Sequence, residues 1–360
     1  MRQLEPADIA AWSALQQADP VLASPFFRPE FAASVAHVRD NVQVGVIERA
    51  GERIGFFPFQ SGTFAVGRPV GGPLSDYQGF IMRQGLEWDA RRIVRDCGLV
   101  EWRFDHLLAA QTPFSRYHRV ATQSPVIDLS QGYEKYAEER RLAGSEQIRK
   151  AAGLLRKLER EVGPVRFEVH SPEIRVLRKL MRWKSRQYRL SGKLDIFSIE
   201  WVTRVVEKMY ATHGENFAGL FSVLTVGDLP IAAHMGLRSK TVWHYWFPAY
   251  DPGYAKYSPG IILLLKMAEH ANGLGISTID MGNGRALYKQ RLMNGAIPLA
   301  EGTVAVSPTR AALEGVRKHT ETWVRHSAMF EPVRKANAML GGLAERVPLI
   351  QRMKSYLRFK

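Results

Sequence analysis

The chain contains one cysteine, Cys97, in 360 residues, so no disulfide can form within it. Cysteine usage this low is typical of a reducing compartment, and we expect a cytoplasmic protein. The longest unbroken apolar run, Ile261 to Leu265, is far shorter than the ~18 residues of a membrane span, so no span is predicted. The first eight residues carry acids and a proline where an export signal has a basic start and an apolar core, so no export signal is predicted.

Several catalytic signatures are also absent. The ten histidines and the single cysteine show no ligand spacing of the zinc kind, and we expect no metal cofactor. Neither a Gly-x-x-x-x-Gly-Lys-Ser/Thr phosphate loop nor a Gly-x-Ser-x-Gly nucleophile elbow is present. These absences argue against P-loop nucleotidases and against serine hydrolases of the α/β type.

The composition is that of an ordinary globular protein, with 46% hydrophobic and 24% charged residues. At ~150 residues per domain, the length suggests two compact units. The net charge of +15 is concentrated in two segments: residues 133–193 hold 17 Lys/Arg against 8 Asp/Glu, and residues 309–360 hold 11 against 4. A cationic surface favours the phosphates of nucleotides, coenzyme A, nucleic acid or anionic lipid, but solvated helix faces explain the same charge.

Two hairpin signals mark the chain. Residues 42–60 turn at Ala50-Gly51, and residues 221–237 turn at Gly227-Asp228. Their similar patterns fit a duplicated fold, although hairpins are common enough to leave this open. Between them, Tyr133 to Glu161 lacks proline and is rich in helix formers, so one long connecting helix is predicted.

Further elements are predicted around the second hairpin. A helix should open at Ser171-Pro172 and run through Ser191, and another should span residues 199–212. A strand is predicted from Thr241 to Phe247, and Pro248 is expected to interrupt it.

The most informative segment begins at Tyr257. Ser258 is predicted to be the N-cap of an apolar helix, with Pro259 its first residue and Gly260 a bare backbone position. A helix start offers free amides and the positive end of a dipole, and a glycine allows a pyrophosphate to approach closely, with Lys256 beside it. A well-capped core helix without a ligand fits the same residues.

A short buried strand is predicted next, from Gly275 to Gly282, and it contains the acid Asp280 near its end. The Asn283-Gly284 turn and a short helix holding Tyr288, Lys289 and Arg291 follow, and another strand begins near Ile297.

These residues and their order resemble the GNAT acyltransferases, in the branch that includes the FemAB-like peptidyltransferases and the cellulose-biosynthesis acetyltransferases of the CelD type. The motifs that carry the resemblance are Tyr257-Ser258-Pro259-Gly260, Ile279-Asp280-Met281-Gly282-Asn283-Gly284, Tyr288-Lys289, Arg182-Trp183 and Ser75-Asp76-Tyr77. The resemblance implies an α/β (α+β) fold of two tandem GNAT-like domains, with mixed central sheets flanked by helices. The expected units are an N-terminal half (1–128), a helical connector (129–164), a catalytic half (165–308) and a basic helical C-terminal tail (309–360).

The donor implied by the resemblance is acetyl-CoA or another acyl-CoA. Its phosphates are expected on Lys256, Tyr257, Ser258, Pro259 and Gly260, with Lys289 as a further ligand. GNAT enzymes show Arg/Gln-x-x-Gly-x-Gly/Ala at this loop, whereas this chain has Tyr257-x-x-Gly260-x-Ile262, without the leading cation or the second small residue. An aminoacyl-tRNA donor of the FemAB kind is compatible with the same scaffold.

Attack of an amine on a thioester needs a base, a stabiliser of the oxyanion and an acid for the thiolate. The resemblance gives the acid role to Tyr288, and Asp280 is a candidate for base or for orienting the amine. His244 and His234 are further proton acceptors because their ordinary pKa lies near neutrality. Since one helical step is ~100°, Tyr288 and Lys289 cannot both face the thioester. Each of these residues fits a purely structural role as well.

The acceptor is expected in a groove between the halves, since pockets favour such junctions. Asp76 and Tyr77 are candidates to reach it from the first half, and Trp246 and Trp183 from the second. Alternation places His244 with Trp246 on one strand face and Trp243, Tyr245 and Phe247 on the other. Filling the core is the commoner use of such aromatic residues.

The tail from Thr309 to Lys360 mixes cations with apolar residues, which favours amphipathic helices. It fits a helical extension or contact with an anionic membrane at its inner face. The resemblance to polysaccharide-associated acetyltransferases implies cyclic di-GMP binding as a further alternative. The function expected from the resemblance is N-acyl transfer to a saccharide precursor of an exopolysaccharide or envelope polysaccharide. The alternatives are aminoacyl transfer from tRNA to a cell-wall precursor and a non-catalytic effector of polysaccharide secretion.

Overall fold

The computed structural model describes residues 1, 3–284 and 286–307, so the predictions for the tail at 309–360 lie outside the described residues. The described part is a mixed α/β structure with a central mixed sheet flanked by helices, which confirms the predicted fold class. None of its helices is both long and apolar enough to cross a membrane.

Twelve strands of the described residues form one sheet. They are β1 (Val42–Arg49), β2 (Glu52–Ser61), β3 (Val66–Arg68), β4 (Ile81–Met82), β5 (Glu101–Leu108), β6 (His118–Asp128), β7 (Val165–Glu168), β8 (Ala218–Val226), β9 (Leu229–Arg238), β10 (Val242–Tyr250), β11 (Thr278–Asp280) and β12 (Gly295–Ala305). The helices are α1 (Pro6–Ala18), α2 (Pro29–Ala36), α3 (Ala90–Asp96), α4 (Tyr133–Leu142), α5 (Gln147–Glu161), α6 (Ile174–Leu190), α7 (Glu200–Tyr210), α8 (Pro259–Ala271) and α9 (Leu287–Leu292). Both predicted hairpins are present, as β1–β2 and β8–β9.

The strand order is β1-β2-β3-β5-β12-β6-β11-β10-β9-β8-β7, with β4 attached to β2. This order is nearly symmetric about the central β12–β6 pair: a hairpin lies toward each end, and each half contains one parallel pair, β3 with β5 and β10 with β11. The matching positions support the duplication that the two hairpin patterns left open.

The two predicted halves share this one sheet. β12 belongs to the predicted catalytic half, yet it pairs with β5 on one side and with β6 on the other, and both of these strands belong to the first half. The sheet is therefore continuous, where two separate central sheets were expected, and the proposed boundaries at 128, 164 and 308 stay predictions.

The parallel pair β10–β11 separates after three residues. The pairing joins Val242, Trp243 and His244 to Thr278, Ile279 and Asp280, after which β11 ends and β10 continues to Tyr250. This leaves an open edge of β10, which we call the split. Pro248 does not interrupt β10, contrary to the prediction, because its backbone faces the split, where no neighbouring strand requires an N–H.

The predicted connecting helix is broken into α4 and α5. Residues 143–146 separate them, and Gly144 has a φ of +78°, which ends α4 in the left-handed region that glycine tolerates. The prediction of one helix was therefore wrong, because a glycine terminated a segment otherwise made of helix formers.

Apolar cores cover both faces of the catalytic half. One face packs against α6 and α7, and this core continues to α1 and α2 of the first half. The opposite face packs against α5 and α8. A bulge between His244 and Phe247 disturbs the alternation of β10, so Phe247 lies with Trp246 in the first core and not with Trp243 and Tyr245, as alternation predicted.

Candidate active site

A histidine between two carboxylates lies where β10 and β11 separate. His244 Nε2 is 2.7 Å from Asp76 Oδ2, and His244 Nδ1 is 3.6 Å from Asp280 Oδ1. His244 and Asp280 are fully buried, whereas the Asp76 side chain is 27% exposed. Of these three groups, Asp76 is the one that reaches solvent.

The charges of this cluster determine its protonation. Burial alone would lower the pKa of His244, but the nearby charges of Asp280 and Asp76 raise it to about 9. For Asp280, burial acts to raise the pKa, and the His244 charge together with hydrogen bonds lowers it below its ordinary value. The raised pKa favours a protonated His244 at neutral pH, and in that form the imidazole donates to Asp76 and cannot accept a proton as the sequence suggested.

Asp280 is held by its own hydrogen bonds. Ser124 Oγ donates to Asp280 Oδ1 at 2.5 Å, and the Gly282 amide donates to the same oxygen at 2.8 Å. Gly282 has a φ of +73°, and a Cβ there would lie 3.3 Å from Asp76 Oδ2. Ser124 belongs to β6, and the sequence gave no local signal for it because its contact depends on a strand 156 residues away.

Asp76 arrives from the first half on a loop that is firmly attached. Gln78, two residues later, donates to Asp105 Oδ1 at 2.5 Å and accepts from the amides of Asp105 and His106. The Gln78 backbone also pairs with β5, so this loop fills the space beside β5 that corresponds to the split of the other half. The first half thus contributes the Asp76 carboxylate to the cluster.

Tyr77 and Trp246 support the same loop. The Trp246 indole donates to the Leu74 carbonyl at 3.1 Å, and the buried Tyr77 ring packs edge-on against His244, with centroids 6.2 Å apart. Burial and the charge of Asp280 raise the pKa of Tyr77 well above its ordinary value. Because Trp246 is only 7% exposed, it offers no free face for stacking a sugar and acts as a support for the loop.

Tyr288 and Lys289 point in different directions, as a helical step of ~100° predicts. The half-buried Tyr288 packs into the core of α5 and α8 beside Tyr245, and burial raises its pKa to about 12. Lys289 Nζ donates to the carbonyls of Gly282 at 2.9 Å and Asn283 at 3.1 Å, on the side of Asp76. Lys289 is therefore separated from the predicted phosphate loop.

The start of α8 has the predicted N-cap at Ser258, with a φ of +50°, but the Ser258 side chain makes no capping hydrogen bond. Pro259 has no N–H, and the Gly260 amide donates no hydrogen bond within the described residues. Tyr245 donates to the Gly260 carbonyl at 3.3 Å. A backbone donor is therefore available at this helix end.

A carboxylate lies beside that helix start. Glu161, at the end of α5, accepts from the buried Tyr257 hydroxyl at 2.7 Å and lies 3.4 Å from Lys256 Nζ. Lys256 is thus partly neutralised, and Tyr257 has a structural contact that the sequence did not predict.

His234 and Trp183 are not brought to the cluster's exposed side. His234 is fully buried, and its Nε2 accepts from the Trp246 amide at 3.1 Å, in the bulge of β10. Burial and the neighbouring His244 lower its pKa well below the ordinary value, so it stays neutral. Trp183 packs against the core of α6, under the Lys179 ammonium at 4.7 Å from the ring centroid. Both therefore have structural roles in place of the predicted ones.

Residues 145–290 match the family model described as an acetyltransferase (GNAT) domain. The chain carries a GNAT-type acyltransferase domain. This domain extends from the start of α5 into α9 and contains the split, His244, Asp280 and the start of α8. No curated protein sequence matches the chain.

Solved structures share the fold across most of the chain. FemX superposes with a TM-score of 0.56 at 9% identity, covering 85% of this chain and 98% of its own. The C-terminal domain of a putative lysylphosphatidylglycerol synthetase from Agrobacterium fabrum has a TM-score of 0.53 at 10% identity, covering 86% and 94%. A conserved protein of unknown function from Bacteroides thetaiotaomicron has a TM-score of 0.52 at 9% identity, covering 83% and 97%. The GNAT domain thus lies in a chain whose whole described fold is similar to these proteins.

Proposed function

We propose that this protein transfers an acyl group from an acyl-CoA to an amine, and that the acceptor is a saccharide precursor of an exopolysaccharide or envelope polysaccharide. The observation that carries the proposal is the split between β10 and β11. A helix start with a free amide and Tyr288 lie on one face of the sheet there, and the Asp76 carboxylate lies on the other. Donor and acceptor can then approach the same point from opposite faces.

The donor is assigned to the face of α8. The Gly260 amide and the positive end of the α8 dipole favour the diphosphate of coenzyme A, and Lys256 adds a charge that Glu161 partly offsets. The thioester then lies near Tyr288. Because burial raises the pKa of Tyr288 to about 12, this phenol keeps its proton at neutral pH and can donate it to the departing thiolate.

The acceptor amine is assigned to the face of Asp76. The neutral amine attacks the thioester carbonyl, the new C–N bond forms, and the C–S bond breaks as the thiolate takes a proton from Tyr288. The proton released from the amine nitrogen goes to Asp76 or to solvent, and Tyr288 recovers its own from solvent. His244, which is already protonated, fixes the Asp76 carboxylate in place throughout.

Calorimetric titration with acetyl-CoA tests the donor site. Gly260 has room for a side chain, since a Cβ there would meet only the Tyr250 ring at 3.5 Å. Gly260→Glu should weaken binding by about tenfold or more because its carboxylate repels the diphosphate, whereas the isosteric Gly260→Gln should bind much more like the wild type. Equal affinity of the Glu and Gln variants for acetyl-CoA would show that its phosphates do not bind at this helix end.

Activity with acetyl-CoA and a panel of amino sugars tests the reaction. Turnover that is insensitive to ribonuclease excludes an aminoacyl-tRNA donor. If acetyl-CoA binds but no amine is acetylated, and if Tyr288→Phe changes nothing measurable, the non-catalytic alternative is favoured.

A further inference from the structure

Three donor groups converge on the carboxylate of Glu161, beside the start of α8. Glu161 Oε2 accepts from the Tyr257 hydroxyl at 2.7 Å and lies 3.4 Å from Lys256 Nζ, and Glu161 Oε1 lies 3.9 Å from Lys157 Nζ. Lys157 lies one helical turn before Glu161 on α5, whereas Lys256 and Tyr257 belong to the segment that leads into α8. Two parts of the chain thus hold one anion between them.

The Tyr257 side chain is fixed, whereas its charged neighbours reach solvent. Tyr257 is 3% exposed in the core of α5 and α8, and the Lys256 ammonium lies 4.7 Å from the centroid of its ring. The side chains of Lys256, Lys157 and Glu161 are 63%, 45% and 35% exposed. The carboxylate can therefore rotate away into solvent while the Tyr257 hydroxyl stays in place.

Glu161 carries its charge at neutral pH. The hydrogen bond from Tyr257 is the largest influence on its pKa and lowers it below the ordinary value, burial opposes this, and Lys157 and Lys256 lower it further. The three donors are therefore matched to an anion.

This anion lies next to a helix start that attracts anions. Ser258 is the N-cap of α8 and Pro259 its first residue, and the Gly260 amide donates no hydrogen bond within the described residues. The positive end of the α8 dipole favours a negative charge here, and Glu161 supplies one from the chain itself. A phosphate that binds at this helix start therefore meets a carboxylate beside the same donors.

We propose that Glu161 takes the place of a donor phosphate, and that acyl-CoA binds by displacing this carboxylate from Tyr257, Lys256 and Lys157. This deepens the proposed function and rests on it for the identity of the donor. Carboxylate and phosphate oxygens both accept from hydroxyl and ammonium groups, so each of the three donors can exchange one anion for the other. Glu161 is thereby a specificity-determining residue, because a ligand gains from the exchange only if it brings a competing anion.

Calorimetric titration of Glu161→Gln with acetyl-CoA tests the displacement. The carboxamide keeps the shape of the side chain and can still accept from Tyr257, but it has no charge, so the affinity should rise by about fivefold. Glu159→Gln is the matched control, since it removes the same charge from an exposed position of α5 that lies ~200° around the helix, and it should leave the affinity unchanged. Equal or weaker binding by Glu161→Gln would overturn the proposal.

Lys256→Gln in two backgrounds separates displacement from a purely structural role of Glu161. In the wild type, Lys256 exchanges one anion for another on binding, so its loss should weaken acetyl-CoA by about twofold at most. In Glu161→Gln the Lys256 charge serves the phosphate alone, and the same substitution should weaken binding by about tenfold. An equal loss in both backgrounds would show that carboxylate and phosphate do not share Lys256, and the proposal would be wrong.

Acetyl-dephospho-CoA shows which phosphate displaces the carboxylate, because it keeps the diphosphate and lacks the ribose phosphate. A gain in affinity on Glu161→Gln that persists with this ligand assigns the exchange to the diphosphate, and a gain seen only with acetyl-CoA assigns it to the ribose phosphate. If neither the wild type nor Glu161→Gln binds acetyl-CoA, the proposed function fails together with this inference. If both bind it equally, this inference alone fails.

Discussion

Replacing Asp280 by Asn should change how the stability of the protein depends on pH. His244 has no exposed surface, and the charge of Asp280 is the largest influence that raises its pKa. Without that charge, burial should bring the pKa of His244 back to 6.5 or lower, since Asp76 alone remains as a partner. The imidazole would then be neutral above neutral pH.

The magnitude follows from the pKa. A rise from the ordinary value of 6.5 to about 9 corresponds to roughly 3 kcal/mol of unfolding free energy. Because the folded-state pKa is higher than the unfolded one, this contribution is fully present below pH 6.5 and is lost as the pH rises through 9. The wild type should therefore be more stable than Asp280→Asn near pH 6, and the difference should shrink by roughly 3 kcal/mol by pH 10.

Urea unfolding of both proteins at a series of pH values measures this difference. The comparison is needed because Lys184, whose pKa is lowered to about 8, works in the opposite direction: its contribution rises with pH between 8 and 10.5, equally in both proteins. Histidine NMR titration reads the His244 pKa directly, with the resonance assigned by its loss in His244→Asn.

Asp89→Asn is the matched control. Asp89 caps α3 and contacts Arg116 on the surface, and its pKa is already below the ordinary value. The change in unfolding free energy caused by Asp89→Asn should therefore be the same at every pH between 6 and 10. If the stability difference between wild type and Asp280→Asn is as flat as that of the control, His244 is not held protonated by Asp280, and the description of the cluster is wrong.

Two further predictions concern turnover and packing. Tyr288→Phe should lower kcat for acetyl transfer by roughly 100-fold, because the thiolate loses its acid, while calorimetric affinity for acetyl-CoA stays the same; unchanged kcat would remove Tyr288 from the reaction. Gly302→Ala should destabilise the protein by about 2 kcal/mol, since its Cβ would lie 2.0 Å from the Tyr117 carbonyl oxygen. Gly153→Ala, within α5 with open space around it, should stabilise by about 1 kcal/mol, and urea unfolding of both variants checks the pair.

Local signals predicted the elements that local chemistry controls. Ser258-Pro259-Gly260 before an apolar run predicted the start of α8, and turn residues predicted both hairpins. The failures arose where the outcome depends on distant neighbours. The expectation that Pro248 would interrupt β10 was wrong because a proline interrupts a strand only where its missing N–H would face a paired neighbour. At Pro248 that side of β10 is unpaired because β11 has already ended.

The same distinction applies to the candidate site. Asp76, His244 and Asp280 were each singled out, but their contact depends on the first half closing over the second. Ser124 was missed because a serine in a strand is unremarkable until the fold brings a partner to it. The alternation of side chains along β10 predicted the wrong face for Phe247, because the sequence gives no sign of the bulge between His244 and Phe247.

The position of β12 affects how the chain can be made and divided. A ribosome delivers this strand after every other described strand, and it occupies the middle of the sheet, between β5 and β6, which both lie within the first 128 residues. Neither half can complete its hydrogen bonding until residues 295–305 have emerged, so newly made chains must wait with β5 and β6 unpaired along those edges. A fragment that stops before Gly295 should aggregate, and adding the missing strand as a separate peptide should restore a soluble, folded product.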